Sequence, residues 1–453
     1  MFRIDLRAFA LFRTLTGILL AYDAIDKIVR FRAFFSDFGV LPRAMFVQNA
    51  EWSTFHSLFL ASDHPVFTIG LFLAQAACGL MMVAGLRPRL AALIGWIIFV
   101  SGNVRNPMIV YGADQIMRSV LLIAALCPLD KASFSRREGF VSVPGATLII
   151  QVIIMYFLTG FFKTGPEWVQ DYSATHYTLR LNTYSSAFGR YLLDYPGLLK
   201  VLTIAVYWLE VAGIWLLLVP ARIWWLRTAV ILALWGFHFG TAVTMNVGFF
   251  PFISIAVTAA LLPAGLFDRL QGLPAAEVAK DLTQRAPANA TGSVFLVFLL
   301  VWNGVFLAGK NPLQVPGLND LGRHTFLWQH WNMFAPSPNK ATGWIVVPGV
   351  LETGEAVDVL NLAKGVPSEA MPEDLNAHLG GARWVRFFTY LIFEPIPEQH
   401  LYYGKYLCRR WHVAFPETKL KRFEIKSFLG VSNKDLGVDP PVSRTVWTHE
   451  CYR

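Results

Sequence analysis

The sequence predicts a mainly α, polytopic membrane helical bundle of about eight or nine transmembrane helices, followed by a C-terminal β-rich or α+β extramembrane domain. Three observations predict it. Of 453 residues, 55% are hydrophobic and only 15% charged, where soluble domains carry about 25% charged residues. Apolar stretches near the ~20 residues that cross a hydrocarbon core of ~30 Å recur from the N-terminus to Leu307. From Lys310 onward the chain turns to Gly/Pro-rich turns, short alternating stretches and frequent charges.

The spans are read in order from about Leu6 to Ile25, Phe67 to Leu86, Leu90 to Asn103, Ile116 to Cys127, Ala146 to Phe162, Leu198 to Leu218, Trp225 to Met245, Phe249 to Leu266 and Ser293 to Leu307. The first is the weakest, because Arg13, Asp23 and Asp26 interrupt it. It also carries Arg7 and lacks a small-residue cleavage site, so it is read as a retained helix rather than a signal peptide. Fifteen Trp and 36 Phe suit membrane interfaces and packed helices alike. So much apolar surface excludes disorder.

The net charge of +9 is explained better by a bilayer than by nucleic acid, and no nucleic-acid partner is expected. Positive residues resist translocation. The N-terminal Arg3 and Arg7, the turn Arg87-Pro88-Arg89, the segment with Lys131, Arg136 and Arg137, the turn with Arg222 and Arg227, and the stretch with Arg269, Lys280 and Arg285 alternate correctly if all face the cytoplasm. Arg30 and Arg32 count on the other side. Nine spans then leave the C-terminal segment outside, periplasmic in a bacterial inner membrane.

Two regions follow: a transmembrane domain over residues 1–309 and an extramembrane domain over 310–453. Alternating stretches at Gly343 to Val347 and Ala356 to Leu360 predict strands in the second. Its segment from Trp331 to Pro338 is read as an aromatic interface anchor with a Pro-stiffened exit. Cys78, Cys127, Cys408 and Cys451 have no CxxC or zinc-ligand spacing, so no metal site is expected. In an oxidising compartment Cys408 and Cys451 are able to pair, a matter that spacing leaves open.

Ionisable groups inside spans are costly in lipid and usually face a cavity or a partner. Lys163 closes the fifth span just before Glu167 and Trp168; Glu210 lies in the sixth and His238 in the seventh. Asp114 and Arg118, four apart, share a helix face and are read as a pair. With spans five and seven both running outward, Lys163, His238 and the connection from Arg105 to Asp114 come to similar depth beside the outer domain. The bland readings stand beside this one. A terminal lysine snorkels to headgroups, a helix histidine packs, Glu210 bridges helices, and Trp168, Tyr172 and Tyr177 sit at the interface.

The ordered set Arg105-Asn106-Pro107 with Tyr111-Gly112, Lys163 before Trp168 and Tyr172, His238 before Asn246, Gly248, Phe250 and Pro251, and Trp331 to Pro338 resembles the HTTM family over about residues 5 to 350. That family contains the vitamin K-dependent gamma-glutamyl carboxylases, and the resemblance is to their bacterial homologues. It implies a membrane enzyme that takes reduced vitamin K or a related quinol from the bilayer and deprotonates it with a lysine. With oxygen and carbon dioxide as co-substrates, quinol oxidation to the epoxide is coupled to carboxylation of glutamate side chains. Lys163 matches the base and His238 the helix histidine. The candidate cofactor-binding residues are Asn106, Trp168, Tyr172, Glu210 and Asn246. Membrane lipid or quinol, and a peptide or protein on the outer side, are the implied partners.

Physical chemistry suits these assignments. An apolar site disfavours the ammonium form and makes a neutral amine available as base. Exclusion of water protects reactive intermediates. Two departures matter: Pro107 stands near where animal carboxylases carry a histidine before Tyr-Gly, and the outer region is shorter than theirs. Three functions therefore remain in view: a quinol-dependent carboxylase, an enzyme acting on another lipid or quinone, and a non-catalytic membrane scaffold or carrier.

Overall fold

A computed structural model describes residues 1–48, 56–274, 282, 286–393, 397–433 and 439–451. The protein is mainly helical. Its long helices are α1 (Leu6–Val29), α2 (Pro65–Ala84), α3 (Pro88–Arg105), α4 (Gly112–Leu126), α5 (Val143–Phe161), α6 (Pro196–Val211), α7 (Trp224–Thr244), α8 (Phe250–Ala259) and α9 (Ala286–Leu307). Local chemistry fixes several ends. Proline occupies the first turn of α2, α3 and α5, where its missing N–H costs nothing. Ser142 caps α5 by accepting from the Gly145 N–H, and Gly85 closes α2 in the left-handed conformation.

Among the described residues, five helices are long and apolar enough to cross a membrane, or up to seven if two bent pairs count as spans. That is fewer than the eight or nine read from the sequence, and hydropathy windows explain the difference. The stretch from Ile116 to Cys127 falls in α4, only 15 residues long. The stretch from Leu198 to Leu218 breaks into α6 and a 3-10 segment, Gly213–Leu218. The stretch from Phe249 to Leu266 bends by 87° between α8 and the short helix Ala264–Leu270. Lys280 and Arg285 lie outside the described residues.

One end of the bundle gathers the N-terminal strand β1 (Ile4–Asp5), which pairs with β2 (Gly139–Phe140). Arg7 there bonds Asp5 and Asp268 at 3.0 and 2.9 Å, Arg137 lies 3.3 Å from Asp268, and Arg227 donates to the Met1 carbonyl. Three of the arginines expected on the cytoplasmic side, Arg7, Arg137 and Arg227, thus share an end. Helix α1 crosses α2 with backbones almost touching: a Cβ on Gly79 would stand 2.5 Å from the Gly17 carbonyl and 2.9 Å from the Ala21 nitrogen. Small residues permit such an approach between membrane helices. Gly79→Val is expected to lower stability by about 1–3 kcal/mol through overpacking, read as a fall in the thermal unfolding midpoint in detergent, with Gly79→Ala intermediate.

The C-terminal region is α+β. Strands β3 (Ala341–Val346), β4 (Pro348–Leu351), β5 (Ala356–Asp358), β6 (Ala363–Lys364), β7 (Leu420–Val431) and β8 (Val442–Glu450) form an antiparallel sheet in which β7 pairs with β3, β4 and β8. Helices α10 (Ala382–Phe393) and α11 (Pro397–Ala414) connect its halves. Cys408 on α11 and Cys451 after β8 form a disulfide, with Cα atoms 5.6 Å apart. Its hydrophobic cluster does not stop at the sheet. Phe34, Val40 and Met108 from the bundle side pack in one cluster with Phe387, Trp411 and Ile425.

Candidate functional site

Helix α5 supplies the axis of the site. Lys163 lies just past its end, 3% exposed, and its ammonium donates to the Glu210 carboxylate. Gly160 allows this: a Cβ there would meet Glu210 Cβ at 2.9 Å and Val211 Cγ2 at 2.8 Å, so only glycine lets the end of α6 come this close. The ammonium also stands 4.3 Å from the Trp168 ring centroid, a cation–π contact in a water-poor setting. Lys163, Glu210 and Trp168, separate readings in the sequence, are one assembly.

Seven residues before Lys163, on the same face of α5, Tyr156 reaches His238 of α7, with the phenol oxygen 2.5 Å from Nε2. Both residues are buried. The Nδ1 atom of His238 has no partner although it is fully enclosed. Phe250 meets the imidazole edge-on at 5.9 Å, and Trp235 ties α7 to α8 through Thr258 at 2.9 Å. Tyr156 escaped the sequence reading because an aromatic residue in an apolar helix carries no sign of its hydrogen bond.

A strap from the C-terminal region covers the Lys163 turn. The Gly165 N–H donates to the Pro336 carbonyl and the Trp168 indole to the Phe334 carbonyl, both at 2.9 Å. Glu167 pairs with Lys340 at 2.5 Å, and Lys340 lies 4.7 Å from the Tyr177 ring centroid. Burial alone would raise the Glu167 carboxyl, but hydrogen bonds from Lys340 and Ser337 hold it below the usual carboxylate range. The hydrogen bond to Glu167 raises Lys340 in turn. The segment from Trp331 to Pro338 is therefore not the interface anchor expected: Trp331 is 1% exposed and bonds Gln329, because the strap lies against protein rather than lipid.

The remaining candidates have other partners. Asn106 donates to the Phe34 carbonyl at 3.0 Å, anchoring the short helix Phe31–Phe34 that follows α1, and its Oδ1 is buried without a partner. Tyr172 is half-buried and takes a left-handed conformation, φ 58°. Asn246 uses its backbone, donating to Tyr184 and accepting from Asn376. The expected Asp114/Arg118 pair does not form. Asp114 accepts from the Tyr111 N–H at 3.0 Å, capping α4, while Arg118 donates to the Trp328 carbonyl and stacks on its ring. Among the described residues no group of three or more His, Cys, Asp or Glu is arranged to hold a metal ion.

A second buried centre was missed. Arg383 of α10 enters the bundle and meets Asp23 at 2.5 Å, Asp26 at 2.8 Å and Asp114 at 3.6 Å. Asp23 also binds Lys27 and Gln75, each at 2.8 Å, and Lys27 reaches Asn103 at 3.2 Å. The turn from Gly248 to Phe250 stands between the two centres. Phe250 touches His238, while Phe249 packs on Tyr111 at 5.6 Å and donates its N–H to the Tyr111 hydroxyl. Gly248 adopts φ +63° there, and a Cβ would strike that hydroxyl at 2.5 Å.

Comparison with known families matches residues 116–264 to the HTTM domain. The matched stretch holds Tyr156, Lys163, Glu210 and His238. No curated protein and no solved structure matches the chain. The apolar helices, together with the match to the HTTM domain model over residues 116–264, mark this as an integral membrane protein.

Proposed function

We propose that this HTTM-domain protein is a membrane enzyme in which Lys163 takes a proton from a lipid-soluble quinol, reduced vitamin K or a relative. Quinol oxidation, with oxygen and carbon dioxide as co-substrates, is coupled in this reading to carboxylation of glutamate side chains on an outer peptide or protein. The observation that carries it is a buried lysine in hydrogen-bonded contact with a buried carboxylate, Glu210. A permanently charged ammonium cannot act as a base; a carboxylate in contact offers the proton somewhere to go. Trp168 and the strap keep water away from that exchange.

The residues fit a quinol. His238 Nδ1 is enclosed and unpartnered, so a substrate hydroxyl would complete it. Tyr156 at Nε2 fixes the ring's orientation. When bound, the quinol supplies the reducing equivalents and the ionisable hydroxyl; the protein's part is to orient that hydroxyl, accept its proton at Lys163 and exclude water. We further propose nine passages of the chain through a bacterial inner membrane, with the C-terminal region periplasmic. The disulfide, which persists in oxidising compartments, and the shared end of Arg7, Arg137 and Arg227 support that placement.

Pro107 favours a second reading. It opens the 3-10 turn Pro107–Ile109 and brings no titratable side chain where animal carboxylases have histidine. That is compatible with the same quinol chemistry without a peptide acceptor, or with another lipid or quinone substrate. Purified protein with a reduced naphthoquinone, labelled carbon dioxide and glutamate peptides decides the matter. Epoxide plus labelled peptide is the expected result; epoxide alone selects quinol chemistry without a peptide acceptor, and neither product rejects the carboxylase reading.

A further inference from the structure

The sequence presents Leu198 to Leu218 as a span, and the hydropathy of the bent pair over residues 187–211 presents a broken one. The geometry says otherwise. Helices α5 and α7 start beside the same N-terminal segment, since Ile4 pairs with Phe140 before α5 and Met1 bonds Arg227 in α7. They touch again at Tyr156 and His238, so they run in parallel and depth is shared along them. Lys163 lies seven residues past that contact and Thr244 six, about 10 and 9 Å further at 1.5 Å per residue.

The segment in question is fastened at both of those levels. At its start, Ser186 donates its N–H to the Thr244 carbonyl at 2.9 Å and its hydroxyl to Val243 at 2.7 Å. Leu199, near the start of α6, packs in one cluster with Met245. At its end, Glu210 holds Lys163. Leu199 and Glu210 are about 16 Å apart along the helix, yet both are tied to points of nearly equal depth. A helix so held cannot follow the membrane normal.

Its surface fits an interface. Leu198, Val201, Leu202, Ala205 and Trp208 make an exposed stripe at helical spacing, opposite buried Leu199, Thr203 and Glu210. Before the 111° bend, Phe188, Tyr191 and Tyr195 are also exposed, with the two tyrosine hydroxyls 2.6 Å apart. Lys200 projects beside the stripe. Apolar bodies with hydroxyl, indole and ammonium ends are the composition of a helix seated at headgroup level.

We infer that residues 187–211 form an interfacial anchor, lying along the headgroup layer of the leaflet on the Lys163 side and presenting the α6 stripe to phospholipid. The return through the bilayer falls to Gly213–Leu218 and its flanks, where Ile214 and Leu217 are fully buried and Trp215 packs on Phe157 at 5.1 Å. The anchor delivers Glu210 to Lys163 from the side, so lipid and base are separated by one helix.

Depth measurement by spin labelling tests this without any activity. Single cysteines replace Leu198, Val201, Leu202, Ala205 and Trp208 in the full protein reconstituted in phosphatidylcholine/phosphatidylglycerol vesicles, with Val294→Cys and Leu307→Cys on α9 as the internal ruler. Oxygen against aqueous nickel accessibility is expected to place all five α6 labels at one shallow depth, within ~3 Å, while the α9 pair differs by about 20 Å. A steady gradient of about 15 Å from Leu198 to Trp208 would overturn the inference in favour of a span. Labels seen only by the aqueous reagent, or showing dipolar coupling between copies, would overturn it too, the latter assigning the stripe to a second copy of the chain.

Discussion

Replacing Arg383 by methionine is expected to lower the unfolding free energy by about 3–5 kcal/mol, the cost of breaking a buried ion pair from one side. The guanidinium is the shared partner of Asp23, Asp26 and Asp114. Asp23 and Asp114 are fully buried, so no water replaces it. Lys27 continues to serve Asp23 at 2.8 Å, whereas Asp114 keeps only the Tyr111 N–H. The test is a double-mutant cycle on thermal or denaturant unfolding in detergent. Adding Asp114→Asn to Arg383→Met should recover a measurable part of the loss, because it removes the stranded charge. Arg383→Lys should fall between, since one ammonium cannot reach three carboxylates. If Arg383→Met unfolds like the parent protein, the network carries no stability.

Lys163→Met is expected to do two separable things. It strands Glu210, fully buried, and should cost about 3–5 kcal/mol; it also removes the proposed base, which should reduce quinol oxidation by about 10²–10⁴-fold. The companion Lys163→Met/Glu210→Gln leaves no charge unpaired. It should therefore recover most of the stability and none of the activity. Product formation by the double variant at the parent rate would remove Lys163 from the chemistry, whatever its part in folding. Recovery of neither stability nor activity would show that the two side chains are not energetically coupled, against their direct contact.

How much of this was legible in the chain depends on the distance over which each residue finds its partner. Helices in apolar stretches and the strands near Gly343 and Ala356 follow from local pattern, and the structure has them. Lys163, Glu210 and His238 stand out as ionisable groups among apolar neighbours. That Lys163 and Glu210 form a pair is not visible, because 47 residues separate them. Asp23 and Asp26 counted against the first span, yet both lie inside α1, where Arg383 pairs with them. Their main partner, Arg383, lies 360 positions beyond Asp23 in an aromatic, apolar stretch where nothing local sets it apart from Arg386. At Leu198 to Leu218 a hydropathy window records how apolar the stretch is and not that it breaks into α6 and the 3-10 segment.

The 360-position separation of Asp23 and Arg383 also sets an order of assembly. At about 5–20 residues synthesised per second, α1 waits roughly 20–70 s for α10 to be made. During that interval Asp26 has the guanidinium of Arg30, four residues on, but Asp23 has none. Lys27, one turn beyond Asp23 on the same helix, is already present and bonds it without help from any other element. The i,i+4 pair therefore acts as a resident counter-ion for a nascent membrane helix, and the finished network is a relay in time as well as a knot in space: the local partner guards the charge until the distant one arrives.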